Sequence, residues 1–217
     1  MKIAIWIYSL GKGGSERVLV TLANAFARRG HDVTLYEHGT HADPYGRELD
    51  DKVNHHVLGK TVPLLSRPRK LVYMISLVRI LRREPHDIFF TTTLNHNVMA
   101  ALFTRLFRLP VHLVLRESNT LSTQSKFARK RSKRRLFVYA KYLYPQAAKV
   151  IAPSHGVAED LRHCIPAIDN RVQVIPNPLE LDTIDTQKRE ALPGKDRLAG
   201  RDFIMGAGRL LPQKGFD

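Results

Sequence analysis

Apolar and polar positions along this chain change period in a regular order. Lys2 to Tyr8 is a continuous apolar run rich in isoleucine, the pattern of a strand covered on both faces. From Glu16 to Arg29 the apolar residues Leu19, Leu22, Ala23 and Phe26 recur at helical spacing, and Gly30 stops the helix. Val33 to Glu37 is a second strand, so strand, glycine turn, helix and strand form a βαβ unit with a right-handed crossover. The alternation continues: a strand at Val53 to Leu58, a helix at Arg69 to Arg83, a strand at Asp87 to Thr92 and a helix at Asn97 to Phe107. Further strands are predicted at Val111 to Leu115, Lys149 to Ala152 and Val172 to Ile175. Between them lie a helix at Arg134 to Leu143 and one capped by Ser154 that runs to His163. This is an α/β protein with a Rossmann-like parallel sheet and helices on both faces.

Pro176-Asn177-Pro178 ends the alternation, which sets the first domain at residues 1–178. Residues 179–201 are polar, carry Pro193, Gly194 and Gly200, and read as a linker with a short helix. A strand from Asp202 to Met205 and a glycine turn at Gly206-Ala207-Gly208-Arg209 then open a second domain, of which residues 202–217 are the first strand and loop. A length of 217 residues suits one complete domain and part of another.

Composition narrows the partner. A formal net charge of +15 calls for an anion: phosphates, nucleic acid or a lipid surface. The single cysteine, Cys164, forms no internal disulfide, and no Cys/His cluster has zinc-like spacing, so neither a metal nor another cofactor is expected. No apolar run reaches the roughly 20 residues of a spanning helix. The apolar start leads into Gly11-Lys12-Gly13-Gly14 rather than a cleavage site, and reads as a buried strand.

That glycine loop, with Ser15, Glu16 and Arg17 after it, joins the first strand to the first helix. Ligands of parallel sheets bind at such strand ends, where helix amides hold anionic groups, which makes Gly13 and Gly14 candidate diphosphate contacts. The alternative is glycine kept only for a tight turn. A dinucleotide fingerprint fails because Glu16 stands where its third glycine belongs, and no G-K-[ST] completes a P-loop. A nicotinamide oxidoreductase keeps only Glu37, at the end of the second strand, in its favour.

The run G-G-S-E-R-V-L-V-T-L-A-N-A-F-A-R-R-G-H-D-V-T-L resembles the opening of family 4 retaining glycosyltransferases, and Gly208-Arg209-Leu210-Leu211-Pro212-Gln213-Lys214-Gly215 resembles the first loop of that family's C-terminal domain. Ile151 to Val157 and Val174 to Pro178 are similar to family segments as well. The resemblance implies a GT-B fold and a nucleotide-diphosphate sugar as substrate. It places Arg209 and Lys214 on the donor diphosphate, where fixed cations stabilise the leaving group without a metal. The acceptor would lie on the first domain, and the chain alone, a half-molecule, is expected not to turn over.

Other candidates concern the acceptor. His96, after the strand from Asp87, has either a direct or a structural role. Arg116-Glu117 ends the next strand, where relatives that extend lipid-linked oligosaccharides often carry such a pair and others a histidine. Glu117 either accepts a proton from the acceptor hydroxyl or pairs with Arg116. The basic run from Lys126 to Arg135, with Arg129, Lys130 and Arg131, is either a solvated face or a contact to an anionic leaflet. On the helix before Pro85, Leu71, Met74, Ile75, Val78 and Leu81 form an apolar stripe, with Arg69, Arg79 and Arg83 on another side. That helix either packs on the core or meets a membrane, and the resemblance implies that its arginines contact a lipid pyrophosphate. The protein is then expected in the cytoplasm, peripheral on the inner face of the plasma membrane, with a lipid-linked or polysaccharide acceptor of bacterial cell-surface glycan synthesis. A non-catalytic basic module for membrane or nucleic acid is the rival reading. No RRM, KH or helix-turn-helix signature supports specific nucleic-acid binding.

Overall fold

The computed structural model describes residues 1–11, 13–38, 44–58, 69–126, 131–190, 202, 204–206 and 208; the side chains of 44, 69–71, 131–133 and 182 also lie outside that set. Two compact units are present, Met1–Leu179 and Glu180–Asp217.

The first unit holds a seven-stranded sheet in which every described pair is parallel. Its strands are β1 (Lys2–Ile7), β2 (Asp32–Glu37), β3 (Val53–Val57), β4 (Ile88–Thr92), β5 (His112–Arg116), β6 (Lys149–Ala152) and β7 (Val172–Val174). The order is β3-β2-β1-β4-β5-β6-β7, so the chain starts mid-sheet, builds outward to β3, and returns to build β4 to β7 on the other side. The reversal between β1 and β4 is the topological switch point, outside whose carboxyl ends α/β sheets bind ligands.

Parallel strands need crossovers, and helices supply them: α1 (Gly14–Arg28), α2 (Arg69–Arg83), α3 (Leu94–Leu106), α4 (Leu121–Lys126), α5 (Arg131–Leu143) and α6 (His155–Cys164). Covering both faces explains the unbroken apolar run of β1. Ile3, Ile5 and Ile7 join a core with Leu19, Val20, Ala23 and Ala27 of α1. Ala4 and Trp6 point the other way, into a larger core with Met74, Leu77 and Leu81 of α2, Val98 and Phe103 of α3, and Ala140 of α5. The end of α1 shows how locally the chain is specified. Gly30 has φ 82, and the amides of Gly30 and His31 donate back to Ala27 O (3.0 Å) and Phe26 O (3.1 Å), the double bond of a Schellman cap. Ser154 caps α6 as expected, accepting from the Val157 amide.

Two differences from the sequence reading stand out. The helix α4 and three 3-10 turns (Pro44–Glu48, Tyr144–Gln146, Pro166–Arg171) are additional. In the second unit, α7 (Leu181–Gln187) is the short helix expected after the proline segment. The strand expected from Asp202 to Met205 is not formed by its described residues, which carry no regular structure and leave Ile204 and Met205 exposed. Apolar content marks a strand only where a ladder partner covers it.

Candidate active site

The carboxyl ends of β4 and β5 carry a buried polar network. Arg116 ends β5 and is 3% exposed. Its guanidinium donates to Thr92 Oγ1 at 3.1 Å, Ser118 Oγ at 2.9 Å and Asn177 Oδ1 at 2.5 Å, tying β4, the loop after β5 and the Pro176–Pro178 segment together. Burial lowers its pKa, against the opposing effect of the Glu117 carboxyl. Ser118 also accepts from Ser15 Oγ at 3.2 Å, which brings the first turn of α1 to the same point.

Glu117 turns inward and is fully buried. Its Oε1 accepts from Asn97 Nδ2 at 2.8 Å and from the Tyr144 hydroxyl. Burial pushes its carboxyl up to about 7, although the bonds from Tyr144 and Asn97 and the charge of Arg116 pull the other way. Burial also holds the Tyr144 hydroxyl well above its usual range, reinforced by Glu117. Of the two roles expected for Glu117, this geometry speaks against the direct one and leaves the pairing with Arg116 as an interaction of charge without a hydrogen bond. A group with no exposure does not reach an acceptor hydroxyl, and its carboxylate bonds to Asn97 and Tyr144 rather than to the Arg116 guanidinium.

Next to the network, at the switch point, lies a cavity of about 510 Å³ lined by Trp6, Tyr8, His38, Asn95, His96, Met99 and Leu136. Its walls are mostly aromatic and apolar with a few polar groups, the usual make-up of a small-molecule site. His96 stacks edge-on against Trp6, centroids 4.7 Å apart, and its Nδ1 lies 2.9 Å from Thr93 Oγ1. Thr93, the residue before α3, has φ 72 and ψ 141. Threonine rarely adopts a positive φ, and such a conformation costs on the order of 1–3 kcal/mol.

The remaining candidates fall in different places. Gly13 precedes α1 in extended conformation, and Gly14 begins the helix with open space where a Cβ would stand. Among the described residues Gly30 alone of the glycines has positive φ, while a Cβ on Gly13 would run into the Glu16 carboxylate. Because α2 crosses back from β3 to β4, Arg69 and Arg83 sit at opposite edges of the sheet, about 20 Å apart at 1.5 Å per residue. Arg83 lines a separate polar cavity of about 350 Å³ with Lys2, Asp32, Asn54 and His86, all at the amino ends of the strands. That position removes Arg83 from the ligand edge. The expected apolar stripe of α2 is core: Met74, Val78 and Leu81 are buried, while Arg79 is exposed at mid-helix. Arg129, Lys130, Arg209 and Lys214, and the side chains of Arg69 and Arg131, lie outside the described residues.

Several residues had no sequence signal. Asn97 is fully buried: Nδ2 also donates to Arg116 O at 3.0 Å, and Oδ1 accepts from Thr91 Oγ1 at 2.6 Å. Tyr144, Thr92, Ser118 and Asn177 join it from four different segments. Glu37 has work of its own at the end of β2, accepting from the Leu10 amide at 3.1 Å and facing His55 Nε2 at 2.8 Å. Its carboxylate thus braces the β1–α1 loop instead of standing open to a ribose. Among the described residues no group of three His, Cys, Asp or Glu is placed to hold a metal, and no helix is long and apolar enough to cross a membrane.

Comparison with known proteins bears on the whole first unit. The profile of Glycosyltransferase Family 4 matches residues 12–183. The N-acetylgalactosamine-N,N'-diacetylbacillosaminyl-diphospho-undecaprenol 4-alpha-N-acetylgalactosaminyltransferase of Campylobacter jejuni is 27% identical over 220 residues, covering 96% of this chain and 55% of its own length. Among solved structures, HepE of Anabaena in complex with UDP-glucose superposes with a TM-score of 0.67 at 21% identity, covering 100% of this chain and 55% of that one. A glycosyltransferase from Rickettsia africae gives 0.61 at 16% identity, covering 91% and 48%. The structures agree in fold, and the chain spans about half the length of these relatives.

Proposed function

Because the chain belongs to glycosyltransferase family 4, we propose that it is the acceptor-side part of an enzyme that moves a sugar from a nucleotide-diphosphate donor to a lipid-linked saccharide. The observation that carries this reading is the aromatic cavity at the switch point, lined by Trp6 and Tyr8 of the strand end that leads on to α1. Aromatic faces and a few fixed polar groups suit a sugar ring, and the open approach to Gly14 leaves room for a phosphate at the helix amides. Campylobacter and Anabaena relatives whose names include a diphospho-undecaprenol sugar and UDP-glucose support the substrate classes. The α1 amides are candidate phosphate contacts, and Arg209 and Lys214 are assigned to the donor diphosphate by the resemblance of their loop alone. These cations neutralise the charge that develops on the leaving group, so no metal is needed, and the sugar is transferred with retention. His96 meets the acceptor from the cavity wall. Arg116 and Glu117 stand behind it as positioning residues.

The test uses the protein expressed from its complete reading frame, with UDP-N-acetylgalactosamine and UDP-glucose as donors and a prenyl-diphosphate-linked saccharide as acceptor. Arg209→Ala and Lys214→Ala are each expected to weaken UDP binding and lower kcat/KM by on the order of 10-fold or more. Unaltered UDP affinity and turnover in both variants would sink the donor assignment.

The acceptor chemistry puts the enzyme at a membrane, on the cytoplasmic leaflet. The outer face of α5 supports contact there: Val138, Tyr139 and Tyr142 are exposed, flanked by exposed Arg134, Arg135 and Lys141. Each cation near an anionic leaflet contributes about 1 kcal/mol. Sedimentation with phosphatidylglycerol-containing vesicles is expected to carry the protein down at low salt and release it at high salt. Equal binding to pure phosphatidylcholine would remove the role of the cations, and no sedimentation with either vesicle would remove the membrane claim.

A further inference from the structure

We propose that Thr93 is a positioning residue for the transfer reaction, its positive-φ backbone and its hydroxyl together fixing the His96 imidazole in the cavity wall. The inference rests on the reading above that this cavity takes the acceptor.

A threonine that precedes a helix normally has extended backbone and accepts a bond from the amide two or three residues on. Thr93 does neither. Its φ is 72, it makes no side-chain cap bond, and its hydroxyl is spent on the ring of His96, 2.9 Å from Nδ1. Both departures reduce stability, so the surroundings must impose them. The Thr93 amide donates to Arg116 O at 3.2 Å, and its carbonyl accepts from the Asn97 amide at 2.9 Å. Thr92 is held by the Arg116 guanidinium, and the Asn97 side chain by Arg116 O. Held on both sides by β5, the strand-to-helix corner leaves Thr93 its unusual conformation.

What the corner delivers is orientation. The imidazole is gripped at Nδ1 by Thr93 and packed edge-on against Trp6 at 78°, with Tyr8 6.3 Å away across the same cavity. A ring fixed at two points holds its orientation and its reach toward an acceptor hydroxyl. The other non-glycine residue with positive φ among those described makes the contrast. Arg108, with φ 47, follows the end of α3 in the ordinary left-handed region, where such residues commonly end helices.

Four variants test this: Thr93→Ser, Thr93→Val, Thr93→Gly and His96→Ala. The readouts, all on the protein expressed from its complete reading frame, are thermal melting, the kcat and KM for UDP release from UDP-N-acetylgalactosamine with the prenyl-diphosphate acceptor, and NMR titration of the His96 ring nitrogens without substrate. Thr93→Gly is expected to melt roughly 2–4 °C higher, since glycine accepts the backbone without strain. It should nevertheless lose on the order of 10-fold in kcat/KM. Thr93→Val should lose the same activity with no gain in melting temperature, and Thr93→Ser should stay within about twofold of the parent. In the His96→Ala background, Thr93→Val should add no further loss. NMR should show the His96 pKa or tautomer changed in Thr93→Val and kept in Thr93→Ser. Valine and glycine variants with full activity and unchanged His96 signals overturn the proposal. A parent protein that transfers no sugar at all overturns the functional reading instead, while the melting and NMR arms still decide whether Thr93 governs His96.

Discussion

Glutamine at position 117 is expected to flatten the pH dependence of folding stability and to leave most of the activity intact. The carboxyl ionises near 4.5 in a solvated chain and near 7 in the fold, where burial disfavours its charge. Between those values the folded protein keeps a proton that the unfolded chain has released. Stability therefore falls as pH rises through this window, and the loss is complete above about 7. One pKa unit is about 1.4 kcal/mol, so Glu117 alone removes about 3 kcal/mol between acid and mildly alkaline solution. Glutamine has the same shape, still accepts from Tyr144 and Asn97, and carries no charge to desolvate. Urea melts at pH 5 and pH 8 read the effect: the difference between parent and Glu117→Gln should change by about 3 kcal/mol in favour of the variant at pH 8. Parallel curves would mean that Glu117 does not titrate as its burial requires. Kinetics separate the two roles in the same variant, because losing a general base costs 10²–10⁴-fold. A positioning residue replaced by its isostere should cost less than about 10-fold.

The strands and helices were legible because each is written in consecutive residues. A run such as Ile3–Ile7 has to be covered on both faces, and the helices that alternate with such runs supply the cover. The site was legible only as residue types. Glu117 reads as a candidate base until its partners are known, and these come from 20 and 27 residues away in the chain. Asn97 reads as one more polar residue at the start of a helix, yet it is the buried joint between β4 and β5. The α2 arginines misled for a geometric reason: residues that share one side of a helix occupy opposite edges of the sheet when the helix runs its full depth. Thr93 was opaque in another way. Threonine is an ordinary helix cap, and nothing in its neighbours' identities announces a positive φ.

Asn97→Ala should be the most destabilising single change in this region, by about 3–5 kcal/mol, because it strips partners from several buried groups at once. The Thr91 hydroxyl, fully buried, loses its acceptor, Arg116 O loses one of its donors, and Glu117 Oε1 keeps only Tyr144. Each orphaned buried group costs roughly 1–3 kcal/mol, and the smaller side chain leaves a void. The pH dependence should steepen as well. The bond from Asn97 is one of the influences that hold the Glu117 carboxyl down, so its loss moves that pKa higher and makes the variant weaker still in alkaline solution. Chemical denaturation at pH 5 and pH 8 should thus show a larger penalty at pH 8. Pairing the change with Glu117→Gln is expected to remove that extra penalty but not the underlying one, since the Thr91 hydroxyl still lacks its acceptor and the void remains. A coupling of roughly 0.5–3 kcal/mol between the two sites, present at pH 8 and small at pH 5, is what a buried network sharing one titrating carboxyl requires. Strictly additive effects at both pH values would mean that Asn97 supports the strand-to-helix corner without holding Glu117, and the corner that fixes His96 would then owe nothing to the buried acid.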